Sequence, residues 1–195
     1  MIPGAPGMYT RKTMGPRVLP TLLLTFLTVL PAAAAREDPA RALDLIKPSR
    51  QRLAKDFKVS SLDGGTLRLS ELRGKVVFLN LWATWCEPCK EEMPAMERLW
   101  HRYKAQGLMV VALSMDAQGA KVVRPFVDRA RFSYPVGLDP KMEVAQLYGA
   151  RAVPATFIID RSGNLFAFAL GPREWDSKMA APFFDSLLGQ DKPRG

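Results

Sequence analysis

The chain has 195 residues, with 28 Lys and Arg against 19 Asp and Glu, a net charge of +9. No Lys/Arg cluster is interleaved with aromatic residues, so the charge reads as a solvated basic surface and no nucleic-acid partner is expected. Two cysteines and one histidine fall short of the four ligands a structural zinc usually takes, so no metal is expected either.

Residues 1–35 are expected to stand outside the fold. Arg11, Lys12 and Arg17 form a basic start with no acidic residue before Glu37. An apolar run, Val18 to Leu30, follows, then Pro31 and four alanines ending at Ala35. This is the layout of a secretory signal cut after Ala35. The core Thr21–Leu30 is short for a membrane span, which needs about 20 apolar residues. Extended through the alanines, residues 18–35 would instead be an inner-membrane anchor. No cysteine closes the run, which argues against a lipoprotein. Removing this segment takes three basic residues and no acidic one, so the +9 falls to +6 on 160 residues. That length suits one domain.

Residues 36–55 are charged, carry Pro39 and Pro48, and read as a linker, with one or two helical turns over Ala40 to Ile46. The domain proper is expected over 56–190. Phe57 to Leu62 and Thr66 to Leu69 flank Asp63-Gly64-Gly65, the pattern of a hairpin. Ser70 and Glu71 look like a cap over a brief turn ending at Gly74. Val76 to Trp82 is nearly all apolar, as a central strand buried on both faces should be. Leu108 to Met115 is a second such run. Between them Met93, Met96, Leu99, Trp100 and Tyr103 recur at helical spacing over Lys90 to Lys104. Strand, helix, strand predicts a right-handed crossover onto a parallel sheet. Helices are predicted over Val122–Ala130 and Met142–Leu147, with a short strand at Val136–Leu138. Thr156–Ile159 and Leu165–Leu170 predict an antiparallel hairpin around Ser162-Gly163-Asn164. Trp175–Leu188 predicts a closing amphipathic helix. The fold class is α/β, a mixed central sheet flanked by helices.

The chemistry concentrates in Trp85-Cys86-Glu87-Pro88-Cys89, between the first buried strand and its helix. Two cysteines three apart at a helix start can close a disulfide ring and reopen it. The helix N-terminus places free N–H groups and partial positive charge beside the first sulfur, which favours thiolate. Thiolate is the attacking species in disulfide exchange. Inert buried cysteines would not need Pro between them. A peroxidase of the peroxiredoxin kind would need a Pro before the Thr that precedes a single reactive cysteine, and the strand carries none. Pro88 fits a first helical turn, where its missing N–H does no harm. Glu87 places a carboxylate beside Cys86, which disfavours thiolate and makes the couple more reducing; an exposed Glu of small effect is the alternative.

These residues carry a resemblance. Leu79-Asn80-Leu81-Trp82-Ala83-Thr84-Trp85-Cys86-Glu87-Pro88-Cys89-Lys90-Glu91-Glu92-Met93-Pro94, Leu69-Ser70-Glu71-Leu72-Arg73-Gly74-Lys75, Tyr148-Gly149, Val153-Pro154-Ala155-Thr156 and Asp160-Arg161-Ser162-Gly163 are similar to the TlpA/ResA/DsbE group of exported thiol:disulfide oxidoreductases in the thioredoxin superfamily. The likeness spans about Asp56 to Leu188. It implies a thioredoxin-like fold with an N-terminal β-hairpin and an inserted helix and strand over about Ala117–Leu138. It implies no cofactor beyond the Cys86–Cys89 disulfide. It implies a periplasmic or envelope site and exported cysteine-containing substrates, among them apocytochrome c. The electron donor implied is a membrane protein of the CcdA/DsbD kind, and the chain is expected to be a monomer.

The resemblance also assigns roles. Cys86 is the nucleophile and Cys89 the resolving thiol. Asn80 stands where many thioredoxins have a buried Asp, and Asn cannot be a base. Glu92, three residues after Cys89 on the same helical face, is expected to take over; a solvated helix Glu is the alternative. Pro154 matches the family's cis-proline, with Val153 offering its backbone to a substrate strand. Trp85 is expected at the groove rim, Trp82 in the core, and His101 on the surface. A binding module without catalysis and a disulfide-donating oxidase remain as other readings of the same fold.

Overall fold

The computed structural model describes Gly7 and residues 38–189. The secretory-signal segment lies, apart from Gly7, outside the described residues. The chain divides into two units, Met1–Ala35 and Arg36–Gly195, and everything below concerns the second.

Seven strands form one mixed sheet in the order β2-β1-β5-β4-β3-β6-β7. The strands are β1 Lys58–Ser61, β2 Thr66–Arg68, β3 Val76–Trp82, β4 Leu108–Ser114, β5 Val136–Leu138, β6 Ala155–Ile159 and β7 Leu165–Leu170. β3 runs parallel to β4 and antiparallel to β6, and all seven of its residues are buried. This is why its sequence shows no polar alternation except at Asn80. The helices are α1 Pro39–Ala42, α2 Glu87–Tyr103, α3 Ala120–Ala130, α4 Glu143–Tyr148 and α5 Ala180–Gly189. The inserted helix and strand are α3 and β5, which lies parallel to β4.

Strand periodicity of two divides the core. Val76, Phe78 and Trp82 face α2, α3 and α5 in one apolar cluster. Val77, Leu79 and Leu81 face α4 and the β1 region in the other. Asn80 therefore points to the α2 side by parity alone. Gly137 of β5 is needed where it is, because a Cβ there would meet Leu113 Cδ1 at 2.8 Å and Val59 Cγ2 at 3.0 Å.

Three expectations need correction. The turn before Gly74 is a 3-10 helix over Leu69–Leu72 with Arg68 at its N-cap position, and the group that accepts from the Ser70 N–H, at 2.8 Å, is Asp56 Oδ1 from outside the helix, not the Ser70 side chain. The last helix starts at Ala180, five residues later than Trp175. Trp175 is fully buried, its indole N–H donates to Glu92 Oε2 at 3.0 Å, and it lies in a stretch of turns ahead of the helix. Residues 36–55 do not read as a free linker either. Ala40, Leu43 and Leu45 are core, and Ile46 and Leu53 make bridges to Phe168 and Asn164 along the outer side of β7.

Asp139 organises the start of α4. Its carboxylate accepts from the backbone N–H groups of Glu143, Val144 and Ala145 at 2.8, 3.0 and 3.1 Å. These are orphan donors of a helix N-terminus. Asp139→Ala is expected to cost about 1–2 kcal/mol in urea unfolding, with thiol reactivity at Cys86 unchanged. An unshifted midpoint would mean water replaces the cap at no cost.

Candidate functional site

β3 ends at Trp82, and the chain turns through Ala83-Thr84-Trp85 into α2. The turn closes when Cys86 N donates to Ala83 O at 3.1 Å. Cys86 caps α2, and Cys89 N donates to its Sγ at 3.3 Å. Cys86 and Cys89 form a disulfide. Cys86 is 5 % exposed and Cys89 is fully buried, so Cys86 is the more accessible of the pair. Pro88 sits in the first helical turn, where it leaves no bond unmade.

Glu87 and Glu92 have opposite environments. The Glu87 side chain is 71 % exposed and pairs with Lys90 Nζ at 2.5 Å. Solvent and the ammonium both weaken its effect on Cys86. Glu92 is 4 % exposed, which removes the solvated-helix alternative. Its Oε1 accepts from Asn80 Nδ2 at 2.8 Å. Its Oε2 accepts from Arg173 N at 3.1 Å and from Trp175 Nε1 at 3.0 Å. Burial pushes the Glu92 carboxyl above the usual carboxylate range, and the three donors and the Arg173 charge only partly offset it. A groove of about 490 Å³ between α2 and the segment after β7 reaches Glu92 and is lined by Glu91, Ala95, Arg98 and Arg173.

The Val153–Pro154 bond is cis, as the motif led one to expect. Pro154 O accepts from Gly171 N at 2.9 Å, which ties the loop to the end of β7. Thr156, two residues on, pairs with Asn80 in register, and Asn80 Nδ2 donates to its hydroxyl at 3.0 Å. Trp85 is 66 % exposed on the turn before Cys86, while Trp82 is fully buried. His101 is surface, with Nε2 2.9 Å from Glu97 Oε1. Among the described residues no cluster of His, Cys, Asp or Glu could hold a metal.

Sequence reasoning missed Trp175, Arg173 and Thr156 as supports of Glu92. Trp175 carried a usable signal, since a buried indole needs an acceptor for its N–H. Arg173 acts through its backbone and left no signal.

The sequence pattern of the AhpC/TSA family matches residues 51–167. The chain belongs to that family. It is 37 % identical over 118 residues to the thiol-disulfide oxidoreductase ResA of Bacillus thuringiensis (strain Al Hakam), covering 60 % of this chain and 68 % of the relative. It is 41 % identical over 112 residues to ResA of Halalkalibacterium halodurans, covering 57 % and 63 %. Among solved structures, a Chlorobium tepidum protein assigned as the thiol:disulfide interchange protein DsbE matches with a TM-score of 0.67 and 33 % identity, over 72 % of this chain and 99 % of that one. A DsbF homologue from Corynebacterium diphtheriae matches with a TM-score of 0.62 at 24 % identity, over 73 % and 91 %, which speaks for the fold alone. The fold is thioredoxin-like, and the chain is a thiol:disulfide oxidoreductase of the ResA and DsbE type.

The donors around Glu92 make its acidity testable. Trp175→Phe removes one of them while keeping a buried ring. The Glu92 carboxyl should then titrate higher still in side-chain carbon NMR, because one donor to its charged form is gone. An unmoved titration would mean that the indole bond contributes nothing to holding the charge.

Proposed function

We propose that the protein is an exported reductant of disulfides in other exported proteins, working in the periplasm or cell envelope. The observation that carries this reading is the buried Glu92 carboxylate one turn along α2 from Cys89. A strong oxidant is built to stabilise thiolate; a carboxylate held in the core beside the pair works against it. A binding module without catalysis would have no use for a base in that position.

In the proposed cycle the Cys86 thiolate attacks one sulfur of a substrate disulfide. The substrate S–S bond breaks, a mixed disulfide forms, and one substrate thiolate leaves. Cys89 then gives its proton to Glu92 and attacks the Cys86 sulfur. The mixed disulfide breaks, the second substrate thiolate leaves, and the Cys86–Cys89 bond closes. The substrate has gained two electrons and the protein has lost two. Val153 and Pro154 offer backbone to the substrate strand, and the exposed Trp85 forms the rim. Glu87 and Pro88 tune the first turn.

Because Cys86 and Cys89 are the chain's entire cysteine complement, the dithiol must be restored by an outside donor. A membrane protein of the CcdA/DsbD kind fits that need. The heme-attachment cysteine pair of apocytochrome c is the substrate class proposed, and the chain acts as a monomer. Export rests on residues 1–35, as a cleaved signal or as an anchor through 18–35.

Two experiments test the reading. Cys89→Ser should accumulate mixed disulfides with exported cysteine proteins on non-reducing gels, because Cys86 attacks but nothing resolves. If Cys86→Ser traps partners and Cys89→Ser does not, the roles are reversed. Glu92→Gln should slow reduction of a model disulfide several-fold while leaving Cys86 alkylation nearly unchanged. In the wild type the rate should fall as pH drops through the raised Glu92 titration, since only the carboxylate accepts the proton. Superimposable profiles across pH 6–9 for the two proteins would remove Glu92 from the mechanism.

A further inference from the structure

Asp116 follows β4 and is 1 % exposed. Among the described residues no Lys or Arg lies within ion-pair distance of it. Its partners are all donors. Thr84 N reaches Oδ2 at 2.9 Å, the Thr84 hydroxyl reaches Oδ1 at 2.6 Å, and the buried Ser114 hydroxyl reaches Oδ2 at 2.8 Å. The charged, acceptor-only form of the carboxyl satisfies every one of these contacts.

The carboxylate communicates with Cys86 through one peptide group. The N–H of Thr84 points at Asp116. The carbonyl of the same peptide, Ala83 O, accepts from Cys86 N at 3.1 Å. Anion, peptide and Cys86 N–H form a hydrogen-bonded chain, and such chains polarise one another. Two hydrogen bonds and one peptide place the carboxylate within roughly 8 Å of Cys86 N.

Other charges on the elements meeting at the dithiol are Glu87, Lys90, Glu91 and Glu92 in the first two turns of α2, Arg151 before Pro154, and Arg173 after β7. Only Glu92 and Asp116 are buried. Glu92 serves the second cysteine, one turn on. Glu87 is solvated and paired with Lys90.

We propose that Asp116 is the charge that sets the reduction potential of the Cys86–Cys89 couple. It opposes the α2 N-terminus, disfavours the Cys86 thiolate in the reduced protein, and so makes the dithiol a stronger reductant. It acts through the Ala83–Thr84 peptide without touching sulfur, and is therefore a positioning residue. The proposal deepens the reductase reading and rests on it.

The test is a redox titration of the full chain against glutathione. The protein disulfide takes two electrons and two protons from two glutathione thiols, giving the dithiol and one glutathione disulfide. For Asp116→Asn the equilibrium constant for reduction should rise on the order of tenfold, and the pH profile of Cys86 alkylation should move down by about one unit. Asp116→Ser, neutral and smaller, carries the same expectation should the Asn variant fold poorly. Thr84→Val keeps the charge and loses one contact, so it should leave both readouts near wild type. Folded Asp116 variants with unmoved constants would overturn the proposal. So would a Thr84→Val protein that reproduces the full shift, since loop geometry and not charge would then set the potential. A wild-type chain that fails to titrate with two electrons would overturn the reductase reading as well; a titrating wild type with unmoved variants overturns only the role of Asp116.

Discussion

The carboxylate of Glu92 is the point on which the site's architecture converges. A charge buried at this depth is tolerated only when donors surround it. Those donors come from β3 through Asn80 and from the segment after β7 through the Arg173 backbone and the Trp175 indole. β6 joins through Thr156. Two strands of the sheet and the approach to α5 are thus tied to the second turn of α2. Desolvation still dominates, so the arrangement holds the group closer to accepting a proton than a surface Glu would be. Replacing it with an apolar residue would leave the Arg173 N–H and the Trp175 indole N–H without their acceptor, so the fold as well as the proposed chemistry depends on this group.

The strand β3 explains why the dithiol sits where it does. It is covered on both faces, so nothing along it is open to solvent until the chain leaves the sheet at Trp82. α2 begins five residues beyond that exit, with Cys86 at its cap. The same parity that sends Phe78 and Trp82 to the α2 side sends Asn80 there. One change of register would turn Asn80 into the other cluster and leave Glu92 without its strand partner.

Much of this was legible in the sequence because local rules and global fold agree. β3 and β4 announce themselves as apolar runs, and Met93, Met96, Leu99 and Tyr103 fix the face of α2. The cysteine spacing and Pro88 locate the helix start. The site's supports were less legible for identifiable reasons. Trp175 looked like the first apolar residue of a helix, because periodicity cannot distinguish a helical core position from a loop indole drawn inward for its N–H. Ser70 looked like a cap, while the group that accepts from the Ser70 N–H, Asp56, lies fourteen residues earlier. Residues 36–55 carry the charge and proline of a linker, yet their few apolar side chains cover the edge of the sheet at Ala40, Leu43 and Leu45. In each case a long-range contact decided what a local pattern left open.

The electrostatics of the first turn follow from the same contrast between exposed and buried charge. The N-terminal end of α2 and the Cys89 N–H both favour negative charge on the Cys86 sulfur. Taken alone, they would give an acidic thiol and an oxidising couple. Glu87 is nearest in sequence to that sulfur, but water and Lys90 reduce its reach. Buried carboxylates are not screened in this way, and two of them bracket the ring. Glu92 lies along α2 on the Cys89 side, and Asp116 lies behind Thr84 on the Cys86 side. In the reductase we propose, the helix terminus favours charge on the sulfur, the buried anions oppose it, and a dithiol held between those two influences is suited to giving electrons away.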